Sequence, residues 1–225
     1  MDSPNNTSLF IRKLLLRYFK KQVGNRKFCI ISNDCWGAEP YKLLGRPFNS
    51  PFIGLMLMSP CYIKLLEDPK NYLKEPLNFK SESRYPEMQL IKSGINFPLA
   101  ILGDSDIEVH FMHYRSKDEA ESKWIRRSKR MDWDNLYIKY DCGKDYATKE
   151  DVERFIKMKY ANKLLFGKEK FEHSEYIMLK KYDMNARKQF KNCFLNFNPF
   201  AWLAGNPSFN TLFQKIIGRL AYKHL

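Results

Sequence analysis

An apolar run, Phe28-Cys29-Ile30-Ile31, breaks abruptly into Ser32-Asn33-Asp34-Cys35-Trp36-Gly37 and then into Ala38-Glu39-Pro40-Tyr41-Lys42-Leu43-Leu44. The first piece reads as a buried strand and the last as the start of a helix. A strand, a polar turn and a helix in that order point to an α/β fold, and they place the turn at the carboxyl end of the strand, where such folds hold ligands. Cys35 falls in this turn beside the N–H groups of a helix start, a setting that favours thiolate over thiol and makes it a candidate nucleophile. Asn33 offers an amide for a developing oxyanion, the backbone N–H groups of Trp36 and Gly37 offer more, and Gly37 leaves room for a substrate to approach. Asp34 cuts both ways: it can cap the helix, or its charge can raise the thiol pKa and oppose activation.

The rest of the chain alternates in the same manner. Phe52 to Met58 reads as a buried strand, and Ser59-Pro60 opens a helix to about Leu73. Short strands are expected at Leu77–Phe79 and Met88–Ile91. A better one runs from Asp106 to His113, where Ile107, Val109 and Phe111 alternate with Glu108, His110 and Met112. A helix follows over Asp118–Arg130 with Ala120, Trp124 and Ile125 turned inward. Strands are expected at Leu136–Tyr140, Lys163–Phe166 and Tyr176–Leu179, and Thr148-Lys149-Glu150-Asp151 resembles a capping box that opens a helix to about Tyr160. Asn192 to Gly205 reads as an aromatic loop. Basic amphipathic helices lie near both ends, Thr7–Gln22 and Asn210–His224. The expected architecture is a mostly parallel sheet flanked by helices in a Rossmann-like or SGNH-like three-layer arrangement. Its divisions are an N-terminal helix (1–25), an α/β domain (26–205) and a C-terminal helix packed on that domain (206–225).

His110 is the best base in the chain, and Glu108, two residues away on the same strand face, can orient its ring. A Cys35–His110–Glu108 set therefore has nucleophile, base and orienter if the two strands align, with His113 as an alternative base. The densest basic run, Lys123 to Trp133, brings Arg126 and Arg127 beside Trp124; these arginines suit the phosphates of a donor, and Trp202 with its neighbouring phenylalanines suits stacking on a sugar. Asp104 and Asp106 with Glu108, His110 and His113 supply oxygen and nitrogen in a short window, but no recognised metal motif is present. There is no Walker A or G-x-G-x-x-G phosphate loop, and no motif names a cofactor.

The 39 Lys and Arg against 25 Asp and Glu give a net charge of +14, which favours anionic partners: phosphorylated small molecules, anionic lipid or nucleic acid. With no compact basic motif and no zinc-finger spacing, nucleic acid is the weakest of these. Five widely spaced cysteines without a C-x-x-C are read as reduced thiols, and Arg and Lys interrupt the N-terminal apolar residues, so a cytoplasmic protein is expected, peripheral at the inner membrane face if its basic helices bind lipid.

Several stretches together resemble an uncharacterised bacterial family labelled exopolysaccharide or capsular polysaccharide biosynthesis proteins. The resemblance rests on Ile30-Ile31-Ser32-Asn33-Asp34-Cys35-Trp36-Gly37, on Pro47 to Leu55, on Asp106 to Tyr114, and on Glu119, Ala120, Trp124 and Arg127 in the expected order. It covers about Arg26 to Leu203 and departs at Asp34, where similar proteins often carry Asn. It implies an α/β fold and a setting among sugar-polymer genes, but no established reaction; with the basic residues, the expected partner is a sugar or phosphorylated sugar-donor substrate. More distantly, the turn resembles that of polysaccharide acyltransferases related to the SGNH hydrolases. The expected function is acyl or other group transfer onto a sugar, with Cys35, His110, Glu108 and Asn33 as catalytic residues and Trp36, Gly37, Asp34, His113, Arg126, Arg127 and Trp202 binding substrate. The alternatives are a metal-dependent glycosyltransferase-like enzyme using a nucleotide-sugar, and a non-catalytic accessory protein at the inner membrane surface.

Overall fold

The computed structural model describes residues 6–169, 172–173 and 176–225. Its centre is a four-stranded parallel sheet in the order β1 (Cys29–Ser32), β5 (Leu136–Asp141), β6 (Lys163–Gly167), β7 (Tyr176–Met178). Beside it lies an antiparallel sheet of β2 (Leu77–Lys80), β3 (Leu99–Leu102) and β4 (Glu108–His110). The fold is α/β, with the parallel sheet as the middle of three layers. Because side chains alternate along each strand, Cys29, Ile31, Ile138, Tyr140 and Leu165 feed one core, while Ile30, Tyr137, Leu164 and Phe166 feed the other.

The first core is closed by α3 (Ser59–Glu67), α5 (Pro86–Gly94), α6 (Lys117–Ser128), α7 (Lys149–Lys157) and the small sheet. The second is closed by α1 (Asn6–Val23), α2 (Ala38–Leu44), α8 (Ala186–Cys193), α9 (Pro199–Leu203) and α10 (Leu212–His224). The capping box opening α7 is present: Thr148 Oγ1 accepts from Asp151 N at 3.1 Å, and Asp151 Oδ2 accepts from Thr148 N at 3.1 Å.

Several expectations are corrected. Residues 52–58 are buried, apart from the half-buried Met56, but form no strand: Gly54 has φ +75°, Leu57 N donates to Asn33 O, and a single bridge joins Met56 to His110. This irregular segment ties the small sheet to the end of β1. The helix from Ser59 stops at Asp68 and restarts as α4 (Pro69–Tyr72), because Pro69 offers no N–H to continue the ladder and Asp68 caps the new turn by accepting from Asn71 N. Met88–Ile91 lies inside α5, which Pro86 opens. The strand expected from Asp106 is confined to Glu108–His110, and Ile125 of α6 is exposed. The aromatic loop contains α9, whose N-terminus is capped by Asn198 Oδ1 accepting from Phe200 N at 3.0 Å and Ala201 N at 3.3 Å.

α10 packs on the body in an unexpected orientation. Gln214, Gly218 and Ala221 face inward, and a Cβ at Gly218 would lie 2.2 Å from Phe194 O, so only glycine permits the approach. Leu212, Phe213, Ile216 and Leu220, expected to pack on the domain, face solvent.

Candidate functional site

The turn after β1 is held by charge and hydrogen bonds. Asp34 is buried and caps the short 3-10 turn Cys35–Gly37 by accepting from Trp36 N at 3.0 Å. Its carboxylate also meets Lys139 Nζ at 2.7 Å and Lys144 Nζ at 2.8 Å. Burial alone would raise the Asp34 pKa, but the two ammonium groups outweigh it and hold the carboxyl well below its ordinary range. Lys139 is fully buried in the middle of β5, with its ammonium over the neighbouring rings of Trp36 and Phe166, at 5.9 and 4.9 Å from their centroids. Asp141, at the end of the same strand, accepts from Gln189 Nε2 at 2.7 Å, Gly143 N at 2.9 Å and Tyr182 Oη at 3.0 Å, and lies 3.6 Å from Lys144 Nζ. Two lysines and two aspartates thus form a buried ionic cluster across the carboxyl ends of β1 and β5.

Asn33 belongs to this joint. Its amide NH₂ donates to Asp141 O at 3.0 Å and its Oδ1 accepts from Asp141 N at 3.0 Å. The side chain expected to donate to an oxyanion is committed to fastening β1 to β5. Trp36 is fully buried against Phe190, Phe166 and Trp202. Trp202 itself packs edge-on against Tyr137 at 5.0 Å, so both rings are core rather than a sugar platform. Gly37 is tight against β1, where a Cβ would lie 3.1 Å from Ser32 Cβ and 3.2 Å from Ile30 Cγ2; its missing side chain makes room for the strand, not for a ligand.

Two cavities open at this end of the parallel sheet. The smaller, of 540 Å³, gathers four of the sequence-predicted residues: Asp34, Cys35, His113 and Arg127. Lys42, Lys123, Lys144 and Arg187 join them. Arg127 donates to Tyr114 Oη at 2.7 Å and to Ile53 O at 3.3 Å, and neither it nor Arg187 has a carboxylate partner among the described residues. Arg126, the next residue on the same helix, is exposed and does not line the cavity.

Cys35 faces this cavity and lies 3.6 Å from Leu55 O through its sulfur. Burial first, and the Asp34 carboxylate second, push its pKa up to about 12, and the nearby lysines do not reverse this. At neutral pH the residue is a thiol, which overturns the expectation that the helix start would favour thiolate.

Glu108 and His110 are brought together, but elsewhere. His110 Nε2 lies 3.2 Å from Glu108 Oε2 and 3.1 Å from Ser83 Oγ, while Nδ1 faces Met56 O at 3.3 Å. The ring is fully buried, lines neither cavity and has no hydrogen bond to Cys35. A Ser-His-acid relay needs the acid on the nitrogen opposite the nucleophile; here Ser83 and Glu108 share Nε2. Glu108 also accepts from Arg84 N at 2.9 Å, so the pair fastens the 83–84 loop to β4. Burial raises the Glu108 pKa, and the bonds from His110, Arg84 N and Ser83 outweigh it and lower it. Asp106 pairs with Lys64 and Arg84 outside both cavities, and no group of three His, Cys, Asp or Glu among the described residues is placed to hold a metal ion.

The larger cavity, of 1140 Å³, is formed by the loop after β5 (Cys142 to Thr148), the segment after β6 (Lys168, Glu169, Glu172 and His173), Tyr176 of β7 and α7 along its length. Asp145 and Tyr146 there have φ of 61° and 63°, a left-handed conformation that costs energy in residues with a Cβ and concentrates at functional sites. Asp145 Oδ2 is buried without a hydrogen-bond partner. Burial, with Asp34 and Asp141 adding to it against the pull of Lys144, pushes the Asp145 pKa up to about 7. Lys144 lines both cavities. Sequence reasoning missed Lys139, Asp141, Lys144 and Asp145; the one available signal was a lysine in the middle of the apolar strand Leu136–Tyr140.

A relative from Haemophilus influenzae, described only as an uncharacterized protein, is 34% identical over 156 residues, spanning 69% of this chain and 68% of its own. A family model described as a domain of unknown function, DUF1919, matches residues 6–202, which include β1, the Asn33–Gly37 turn, the ionic cluster and both cavities. The chain belongs to the DUF1919 family.

Proposed function

We propose that this protein is a group transferase of surface-polysaccharide assembly, which holds an anionic, phosphorylated sugar donor in the smaller cavity and a sugar acceptor in the larger one. The observation that carries this reading is the meeting of two dissimilar cavities at Lys144, at the carboxyl end of a parallel sheet. The smaller has the volume of a small-ligand site, and Arg127 and Arg187 face it without a carboxylate partner among the described residues, as an anion requires. The larger carries Asp145, whose carboxyl changes protonation near neutral pH and suits a general base that takes a proton from an acceptor hydroxyl. Lys144, charged and held by Asp34, sits where negative charge would develop between the two ligands. The sugar-polymer setting rests on the resemblance of the Ile30–Gly37 and Asp106–Tyr114 stretches to exopolysaccharide-biosynthesis proteins. Cys35 contacts ligand as a neutral thiol and forms no covalent intermediate.

A strain that makes the polymer and lacks this gene tests the assignment by complementation. Asp145→Asn should fail to restore the polymer or its substituents while Cys35→Ala restores them. Normal polymer with Asp145→Asn, expressed at the wild-type level, would overturn the proposal.

A further inference from the structure

Helices α1 and α10 lie side by side and antiparallel: Ser8 Oγ meets His224 Nδ1 at 3.2 Å at one end, and Gln22 and Gln214 both meet Asn198 at the other. A helix on a globular protein normally turns its apolar stripe to the core. α10 does the reverse. Its inward residues are Gln214, Gly218 and Ala221, while Leu212 is 73% and Phe213 60% exposed, with Ile216 and Leu220 on the same outward face. On α1, Leu15, Phe19 and Val23 are buried, and the opposite stripe runs Phe10, Leu14, Arg17, Lys21, all exposed. An exposed apolar face on this scale marks a surface that something covers.

Charge selects the occupant. The two helices carry five and three Lys or Arg respectively and no Asp or Glu. Arg219 and Lys223 lie among the exposed leucine, isoleucine and phenylalanine of α10. A second copy of the chain would set eight cations against eight, and nucleic acid would leave the apolar residues without a partner. An anionic bilayer satisfies both features, with apolar side chains entering the acyl boundary and Lys and Arg meeting lipid phosphates. No helix among the described residues is long and apolar enough to cross a membrane, so the contact lies in the plane of the interface. We propose that the paired outward faces of α1 and α10 dock this protein on an anionic membrane surface.

Flotation of the full chain with phosphatidylcholine–phosphatidylglycerol vesicles, and with phosphatidylcholine vesicles alone, tests this. The wild type should float with the anionic vesicles at low salt, and about 0.5 M salt should release it. The double substitutions Phe213→Ser/Ile216→Ser and Arg219→Glu/Lys223→Glu should each reduce partition about tenfold or more. All four residues are exposed, and melting followed by circular dichroism would check that the variants fold. Absence of flotation with anionic vesicles at low salt, or undiminished flotation of the serine variant, would overturn the proposal. A concentration-dependent dimer that the serine variant abolishes, without vesicle binding, would assign the face to a second copy instead.

Discussion

Asp34 does two jobs with one carboxylate: it caps the turn after β1 and neutralises two lysines that would otherwise be buried charges. Breaking a buried pair leaves an unpaired charge, so Asp34→Asn should cost about 3–5 kcal/mol in urea unfolding. The pH dependence follows from the direction of each shift. Asp34 has a lower pKa folded than unfolded, so its stabilisation is complete above about pH 4 and is lost as pH falls through the folded value. Asp145 behaves oppositely: its folded pKa is about 7, so its contribution is complete below the unfolded value and is lost as pH rises towards 7. Asp145→Asn should therefore match the wild type near pH 4 and exceed it in stability at pH 8; equal denaturation midpoints at pH 8 would remove the strained, buried carboxyl from the account. Cys35 should react with iodoacetamide at neutral pH at least about tenfold more slowly than a free thiol, because the loss of thiolate outweighs the greater nucleophilicity of a more basic sulfur. Both roles of Asp34, as cap and as a charge raising the thiol pKa, were visible in sequence because its partners there are two residues away or fewer. Lys139 and Lys144 lie 105 and 110 positions from it, and only the pairing of β1 with β5 brings them together.

Elements whose signals are local were legible. The strand–turn–helix at Phe28–Leu44, the alternation around Glu108–His110 and the Thr148–Asp151 box all formed, each from residues within a few positions of one another. Elements that depend on distant partners were not. Residues 52–58 are as apolar as a strand, yet their backbone bonds go to Asn33, His110 and other separate places. The orientation of α10 also escaped, because its longest apolar stripe is the one left outside. That helix gives a test of its docking. Gly→Ala within a helix ordinarily stabilises by about 1 kcal/mol; Gly218→Ala should instead destabilise by about 1–3 kcal/mol, because the new methyl group meets the Phe194 carbonyl. A higher melting temperature for Gly218→Ala would contradict the close approach of α10 to the end of α8.

At the scale of the molecule, the parallel sheet delivers β1 and β5 side by side so that their carboxyl ends share one ionic cluster, with a cavity on either side of Lys144. The expected catalytic set divides along this plan. Cys35 stays at the cavity, Asn33 fastens two strands, and Glu108 with His110 braces the small sheet. What the sequence located was the turn; what it left out was the charge that the turn meets from across the sheet. A donor-binding role makes Arg187 informative, since it is exposed at the cavity, has no carboxylate partner among the described residues and can be changed without disturbing the core. The most direct test is calorimetric titration of the full chain with sugar 1-phosphates and nucleotide-sugars, against the corresponding neutral sugars. The phosphorylated ligands should bind, the neutral sugars should bind at least about tenfold more weakly, and Arg187→Ala should remove most of that difference. No binding of any phosphorylated ligand, or equal binding of neutral and phosphorylated sugars, would contradict an anionic donor site at Lys144.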